Sequence, residues 1–254
     1  MVSKGGPQRI EAVHRALVLL KLMADEGSLS VTEAASALDV NPSTAQRLLA
    51  TLADDGFARQ GERKRYEPGP AFLRPSRAHI SPPLRDRLRP YLERLFERVG
   101  ETVHLATLIG TEIHHLDGVE ATFHPLRFGL RTGVRLPAHL TSAGKAMLAD
   151  LPRDEVDARY QVALSGVRGR DLQVDLERLH AELEKTRRNR IGTNFEESET
   201  GVAAFAVSLG VIDGERAAFS IAMPHARYSQ DEGRKYAAHL VTTAEEVREA
   251  LDVH

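Results

Sequence analysis

The sequence predicts an α+β protein in two parts: a small helical head with one hairpin, then a larger body of interleaved strands and helices. Three observations carry this. Residues 8–55 hold three runs of apolar residues at helical spacing, broken at Gly27 and at Asn41-Pro42. Gly56 then opens two short segments around the polar turn Gly61-Glu62-Arg63-Lys64. From Thr102 onward, period-two segments alternate with helical ones.

Each element of the head has a local reason. Over 8–24, Ile10, Val13, Ala16, Leu17, Leu20 and Met23 recur at helical spacing, and Gly27 ends the run. Ser30 and Glu33 form a capping-box pattern for a short helix to Leu38, and Ala34 and Ala35 are small enough for a close helix crossing. Asn41 as N-cap and Pro42 at the first helical position start the next helix, 42–55. Ala45, Leu48, Leu49 and Leu52 form its inner face, while Ser43, Thr44, Gln46, Arg47 and Thr51 are polar.

A short helix, a tight turn and a second helix with a polar start is a helix-turn-helix, whose second helix enters the DNA major groove. Gln46 suits adenine and Arg47 guanine, while Ser43 and Thr44 suit phosphate or either base. The strands 57–60 and 65–68 make the hairpin a wing, with Arg63, Lys64 and Arg65 at its tip for phosphate or the minor groove. Charge agrees. Residues 1–100 carry 16 Lys+Arg against 12 Asp+Glu, and residues 101–254 carry 18 against 24, so a chain of net charge −2 has a basic head.

Pro68, Gly69, Pro70 and Pro75, then Ser81-Pro82-Pro83, mark the exit from the head. Residues 84–99 read as an amphipathic connecting helix suited to dimer contacts, with Pro90 implying a kink or restart. In the body, strands are expected at 102–109, 112–119, 126–132, 191–195, 202–212 and 216–223. Helices are expected at 142–150, 153–160, 171–190 and 229–251. Thr141-Ser142-Ala143-Gly144-Lys145 lies at a helix start, where free N–H groups favour an anion or a capping side chain.

Several chemistries are set aside. There are no cysteines, so disulfides, thiolate metal sites and a Cys nucleophile are excluded. Ser142 and Lys145 spell S-x-x-K without the companion motifs of serine β-lactamases, and Gly144-Lys145 lacks the remainder of a P-loop. His104, His114, His115, His124 and His139 show no helical H-x-x-x-H pair and read as structural or surface histidines. Arg127 and Arg131, four apart, would share a strand face and could clamp a carboxylate, though solvated cations are the plainer reading. The cluster Lys185, Arg187, Arg188 and Arg190 suits a helix C-terminus. No catalytic residue, metal or cofactor is expected. The amino terminus lacks a signal peptide's apolar core and no run is long enough for a membrane span, which reads as a cytoplasmic protein.

Three segments resemble the IclR family of bacterial transcription regulators. These are R-A-L-V-L-L-K-L-M-A with V-T-E-A-A-S-A-L-D-V-N-P-S-T-A-Q-R-L-L-A-T-L, then P-A-H-L-T-S-A-G-K-A-M-L-A at Pro137–Ala149, then I-G-T-N-F-E-E-S-E-T-G-V-A-A-F-A-V at Ile191–Val207 followed by A-A-F-S-I-A. The resemblance implies a winged helix-turn-helix domain over 1–77, a linker and connecting helix over 78–100, and a GAF-like α/β effector-binding and oligomerisation domain over 101–254. It implies a homodimer or homotetramer on palindromic operator DNA, usually a repressor, answering to a small metabolite such as an organic or aromatic acid. Carried over by position, the effector pocket includes Ser142, Ala143, Gly144, Asn194, Ala204, Ser220 and Ala222. Asn194 stands where some members have an acid, and Ala204 and Ala222 offer no hydrogen bond, which implies a roomier, less polar pocket. The rival reading is a metabolite-binding protein or enzyme with a basic amino-terminal interaction domain.

Overall fold

The computed structural model describes residues 10–61, 64–73, 83–164 and 173–251. The chain divides into two compact units, Met1–Ile80 and Ser81–His254.

The first unit contains helices α1 (Glu11–Glu26), α2 (Val31–Leu38) and α3 (Pro42–Asp54), the antiparallel strands β1 (Ala58–Gln60) and β2 (Tyr66–Pro68), and a short helix α4 (Pro70–Leu73). The expected capping box is formed: Ser30 Oγ accepts from the Glu33 N–H, and Glu33 accepts from the Ser30 N–H. Asn41 sits at the N-cap of α3 with Pro42 in its first turn, but its carbonyl accepts the first N–H groups and its side chain makes no cap bond. The core joins Leu19 and Met23 of α1 to Leu29, to Ala34, Ala35 and Leu38 of α2, to Ala45, Leu49 and Leu52 of α3, and to Ala58 and Tyr66 of the hairpin. Ala34 and Ala45 are wholly buried. The apolar stripe of α1 is phased differently from the sequence expectation. Leu19 and Met23 face the core, whereas Ile10, Val13 and Leu17 are exposed, because α1 is apolar around more than one side.

The second unit is a six-stranded antiparallel sheet, in the order β5-β4-β3-β8-β7-β6, covered on both faces. Its strands are β3 (Thr102–Ile109), β4 (Glu112–Val119), β5 (Arg135–Pro137), β6 (Gly192–Phe195), β7 (Val202–Ile212) and β8 (Glu215–Pro224). Its helices are α5 (Leu84–Val99), α6 (Ser142–Ala149), α7 (Arg153–Leu164), α8 (Leu176–Asn189) and α9 (Gln230–Leu251). Strand alternation sorts side chains by size. Val103, Leu105, Phe205, Val207, Phe219 and Ile221 face α5 and α9, while Ala106, Ala206 and Ala218 face α6, α7 and α8. Helix α5 therefore buries its apolar side, Leu84, Leu88, Leu92 and Leu95, inside its own unit. It runs unbroken through Pro90, which lies on its exposed side, where a ring facing solvent is tolerated.

The strand expected at 126–132 is not formed. That stretch is irregular, and its carbonyls are taken by side chains: Thr102 Oγ1 donates to the Phe128 oxygen and Arg227 to the Leu126 oxygen. The edge strand is instead β5, paired with β4 through Ile113↔Leu136. Arg127 and Arg131 thus share no strand; they pair separately with Glu120 at 2.8 Å and Glu199 at 2.5 Å.

Candidate DNA interface and effector site

In the first unit, α3 presents Ser43, Gln46 and Arg47 to solvent, with Thr44 half-buried beside them. Their neighbours Ala45 and Leu49 point inward, so helix periodicity aims the polar set outward together. The main chain of Leu29 pairs with Tyr66 of the hairpin through two hydrogen bonds of 2.7 and 2.8 Å. Lys64 is exposed at the hairpin tip with a positive φ of 61°. Arg63 lies outside the described residues.

Arg65 is placed otherwise than at a free tip. Its Nε donates to Ser28 Oγ at 2.8 Å, and its terminal nitrogens reach the Ser28 carbonyl at 3.0 Å and Glu33 at 2.8 Å. The Ser30 backbone N–H first, and then Arg65, hold the Glu33 carboxyl down at about 2. Arg65 ties the hairpin to the start of α2. A partner 32 residues away leaves no local sequence signal.

In the second unit, the sequence-identified effector residues converge on the α6 side of the sheet. Asn194 pairs with Ala204, Ala204 with Ala222, and Ala222 with Thr102, so four adjacent strands contribute one row. The next row runs Gly192, Ala206, Ser220, His104. The start of α6 is pressed onto these rows. A Cβ at Gly192 would lie 2.2 Å from the Ser142 carbonyl oxygen, and one at Gly144 would lie 2.1 Å from the Ala138 oxygen. Only glycine lets the two backbones approach this closely. Ser142, Ala143 and Gly144 are all buried, and Thr141 Oγ1 caps the helix by accepting from the Gly144 N–H at 3.1 Å.

Around this face the polar groups are linked. Asn194 accepts from the Glu197 N–H at 2.9 Å and donates to Ser198 at 2.5 Å, fixing the turn after β6. Lys145, 3% exposed, donates to Glu197 at 2.6 Å and to Glu182 at 2.8 Å. Partial burial pushes the Glu182 carboxyl up, but the hydrogen bonds and charges of Lys145 and Arg178 together hold it below the usual carboxylate range. Lys145 is thereby held by two carboxylates.

Sequence reasoning missed His104 and His115, which are buried on this same face with ring centroids 4.9 Å apart. The signal was available: His104 falls in phase with Thr102 and Ala106, opposite Val103 and Leu105. Burial pushes His104 down to about 3 and His115 to about 4. Among the described residues, no group of His, Asp and Glu could hold a metal ion, and no helix is long and apolar enough to cross a membrane.

Comparison with known proteins matches both units. The model of the IclR helix-turn-helix domain covers residues 12–62, and that of the bacterial transcriptional regulator IclR C-terminal domain covers residues 78–249. The chain is 32% identical over 248 residues to the transcriptional repressor IclR of Escherichia coli, spanning 94% of this chain and 89% of that protein. It is 30% identical to the probable transcriptional regulator SauR of Cupriavidus necator, spanning 93% and 94%. An IclR-type regulator of Silicibacter sp. TM1040 has a solved structure that superposes with a TM-score of 0.77 at 26% identity, covering 96% of this chain and 97% of that one. An IclR homolog of Microbacterium hydrocarbonoxydans, solved with 4-hydroxybenzoate, shares the fold with a TM-score of 0.60 at 20% identity, covering 94% and 99%. With both units matched in order, this chain belongs to the IclR family of DNA-binding transcription regulators, proteins that carry an effector-binding carboxy-terminal domain and are not enzymes.

Proposed function

We propose that the protein is a cytoplasmic repressor that leaves its operator when a small organic or aromatic carboxylic acid binds the α6 side of the sheet. The observation that carries the effector half is the convergence of Asn194, Ala204, Ser220 and Ala222 with the glycine-thinned start of α6. The first turn of α6 offers N–H groups and the positive end of a helix dipole to a carboxylate. Alanine at 204 and 222 leaves room for an apolar body. The 4-hydroxybenzoate of the Microbacterium homolog and the repressor role of the Escherichia coli relative support the same reading.

On DNA, Gln46 and Arg47 read bases, Ser43 and Thr44 contact bases or phosphates, and Lys64 with Arg63 meets the backbone beside them. Arg65 holds the hairpin at its angle. A homodimer, or a tetramer made of two, places two recognition helices about 34 Å apart on a pseudo-palindrome. The exposed stripe of Ile10, Val13 and Leu17 is the apolar surface that a second copy would cover.

Footprinting on the promoter region next to the protein's own gene tests this. Two protected half-sites about one turn apart, lost on adding an organic acid, are expected. Protection that no acid alters would remove the effector half of the proposal.

A further inference from the structure

Resting on the effector-site reading above, we propose that His104 and His115 are the specificity-determining residues of that site, and that they read a hydroxyl group on a hydroxylated carboxylic acid. The two rings are 1% and 6% exposed and meet edge-on. His104 Nε2 and His115 Nδ1 are buried without a hydrogen-bond partner among the described residues. Buried polar atoms in native proteins are nearly always paired, so two orphans side by side mark a place where a partner binds.

Their position fits the site. His104 pairs with Ser220 across β3 and β8, one row from Ala222, Ala204 and Asn194. Ala204 and Ala222 are buried, yet they join neither apolar cluster of the second unit. The irregular segment after β4 lies over the same place. Thr102 Oγ1 donates to the Phe128 oxygen, the Phe128 ring lies 6.1 Å from His104, and the Arg131 guanidinium stacks on Phe128 at 4.8 Å.

The chemistry selects a hydroxyl. Both imidazoles are neutral near pH 7, held so mainly by burial and further by the Arg131 charge. Neutral rings give a carboxylate no charge to pair with, and a second cation would be repelled by Arg131. In a neutral imidazole an unpartnered nitrogen is either a bare acceptor or an N–H donor, and a hydroxyl answers both, with its proton for the one and its lone pairs for the other.

The test uses the full-length protein and calorimetric titration with matched acids: benzoate with its 3- and 4-hydroxy derivatives, and butanoate with its 3- and 4-hydroxy derivatives. At least about a tenfold preference for one hydroxylated acid over its parent is expected, since a site built for a hydroxyl penalises its loss. His104→Phe and His115→Phe should cut that preference to about twofold or less, the hydroxylated acid losing more affinity than its parent. His104→Gln, which restores a polar atom near Nε2, should recover part of it. Nitrogen NMR of the histidine rings in the unaltered protein covers the case of variants that do not fold. It should show His104 Nε2 and His115 Nδ1 shifted by the hydroxylated acid only. Equal affinity for hydroxylated and parent acids, or ring signals that no bound acid moves, would overturn the histidine assignment and leave the acid effector standing. If no acid binds and none affects operator affinity, both readings fail.

Discussion

Replacing Gly192 with alanine is the sharpest probe of how α6 is seated on the sheet. The added methyl would sit 2.2 Å from the Ser142 carbonyl oxygen, 2.8 Å from the Ala146 nitrogen and 3.2 Å from the Ala146 Cβ. Ordinary contact needs about 3.4 Å or more, so α6 and β6 must part by roughly 1 Å. The obstructing atoms are mostly backbone of a buried helix, which cannot swing aside as a side chain would. Overpacking of this kind costs about 1–3 kcal/mol, which for a unit of this size lowers its midpoint by about 3–10 °C. Urea unfolding followed by circular dichroism is the assay, with the slope of the transition unchanged and its midpoint lowered. A variant as stable as the parent to within about 0.5 kcal/mol would refute the claim that the two backbones are in direct contact. The same substitution should weaken acid binding, because the start of α6 is displaced from Asn194 and Ser220.

Three further outcomes are expected. Lys145→Met strands Glu182 and Glu197 without their cation. The loss should be about 2–3 kcal/mol by urea unfolding, at the low end for one-sided removal of a buried pair because the carboxylates keep some water, and Lys145→Met with Glu197→Gln should recover part of it. Stability should fall as pH drops below 6.5, because the unfolded chain then protonates His104 and His115 while the folded one, with values near 3 and 4, does not. The pair gives about 2 kcal/mol between pH 7 and pH 5.5, His139 adds in the same direction, and a flat profile above pH 5 would contradict it. Arg65→Ala should move the Glu33 carboxyl part of the way up from about 2, by carbon NMR titration, with the Ser30 backbone bond keeping it below the ordinary range; no movement would mean that Arg65 does not hold the hairpin.

Much of the fold was legible because local signals and tertiary packing agreed. The strands Thr102–Ile109 and Glu112–Val119 were readable to the residue, since period-two alternation flanks Gly110-Thr111. The Ser30–Glu33 capping box likewise contains its whole cause within four residues. The failures share a different origin. Leu126, Phe128 and Leu130 alternate like a strand, but the Leu126 and Phe128 carbonyls take their partners from Arg227 and Thr102, far off in sequence. Which side of α1 turns inward depends on α3 and the hairpin, not on α1 itself. Asn194 and Ser220 were named through family resemblance alone, whereas the start of α6 also carried a helix-start pattern of its own. The facing of His104 could be phased from its own strand, but its place beside Ser220 required knowing that β3 pairs with β8.

α3 and the hairpin are expected to make this chain a sequence-specific DNA binder. Fluorescence anisotropy on a footprinted operator and on its scrambled duplex, titrated with salt, tests it most directly. A preference of about a thousandfold or more for the operator and a steep salt slope are expected. Arg47→Ala should erode that preference by about tenfold or more, while Lys64→Ala weakens both duplexes alike and lowers the slope by about one. Equal affinity for the two duplexes, untouched by Arg47→Ala, would mean that α3 does not read base sequence.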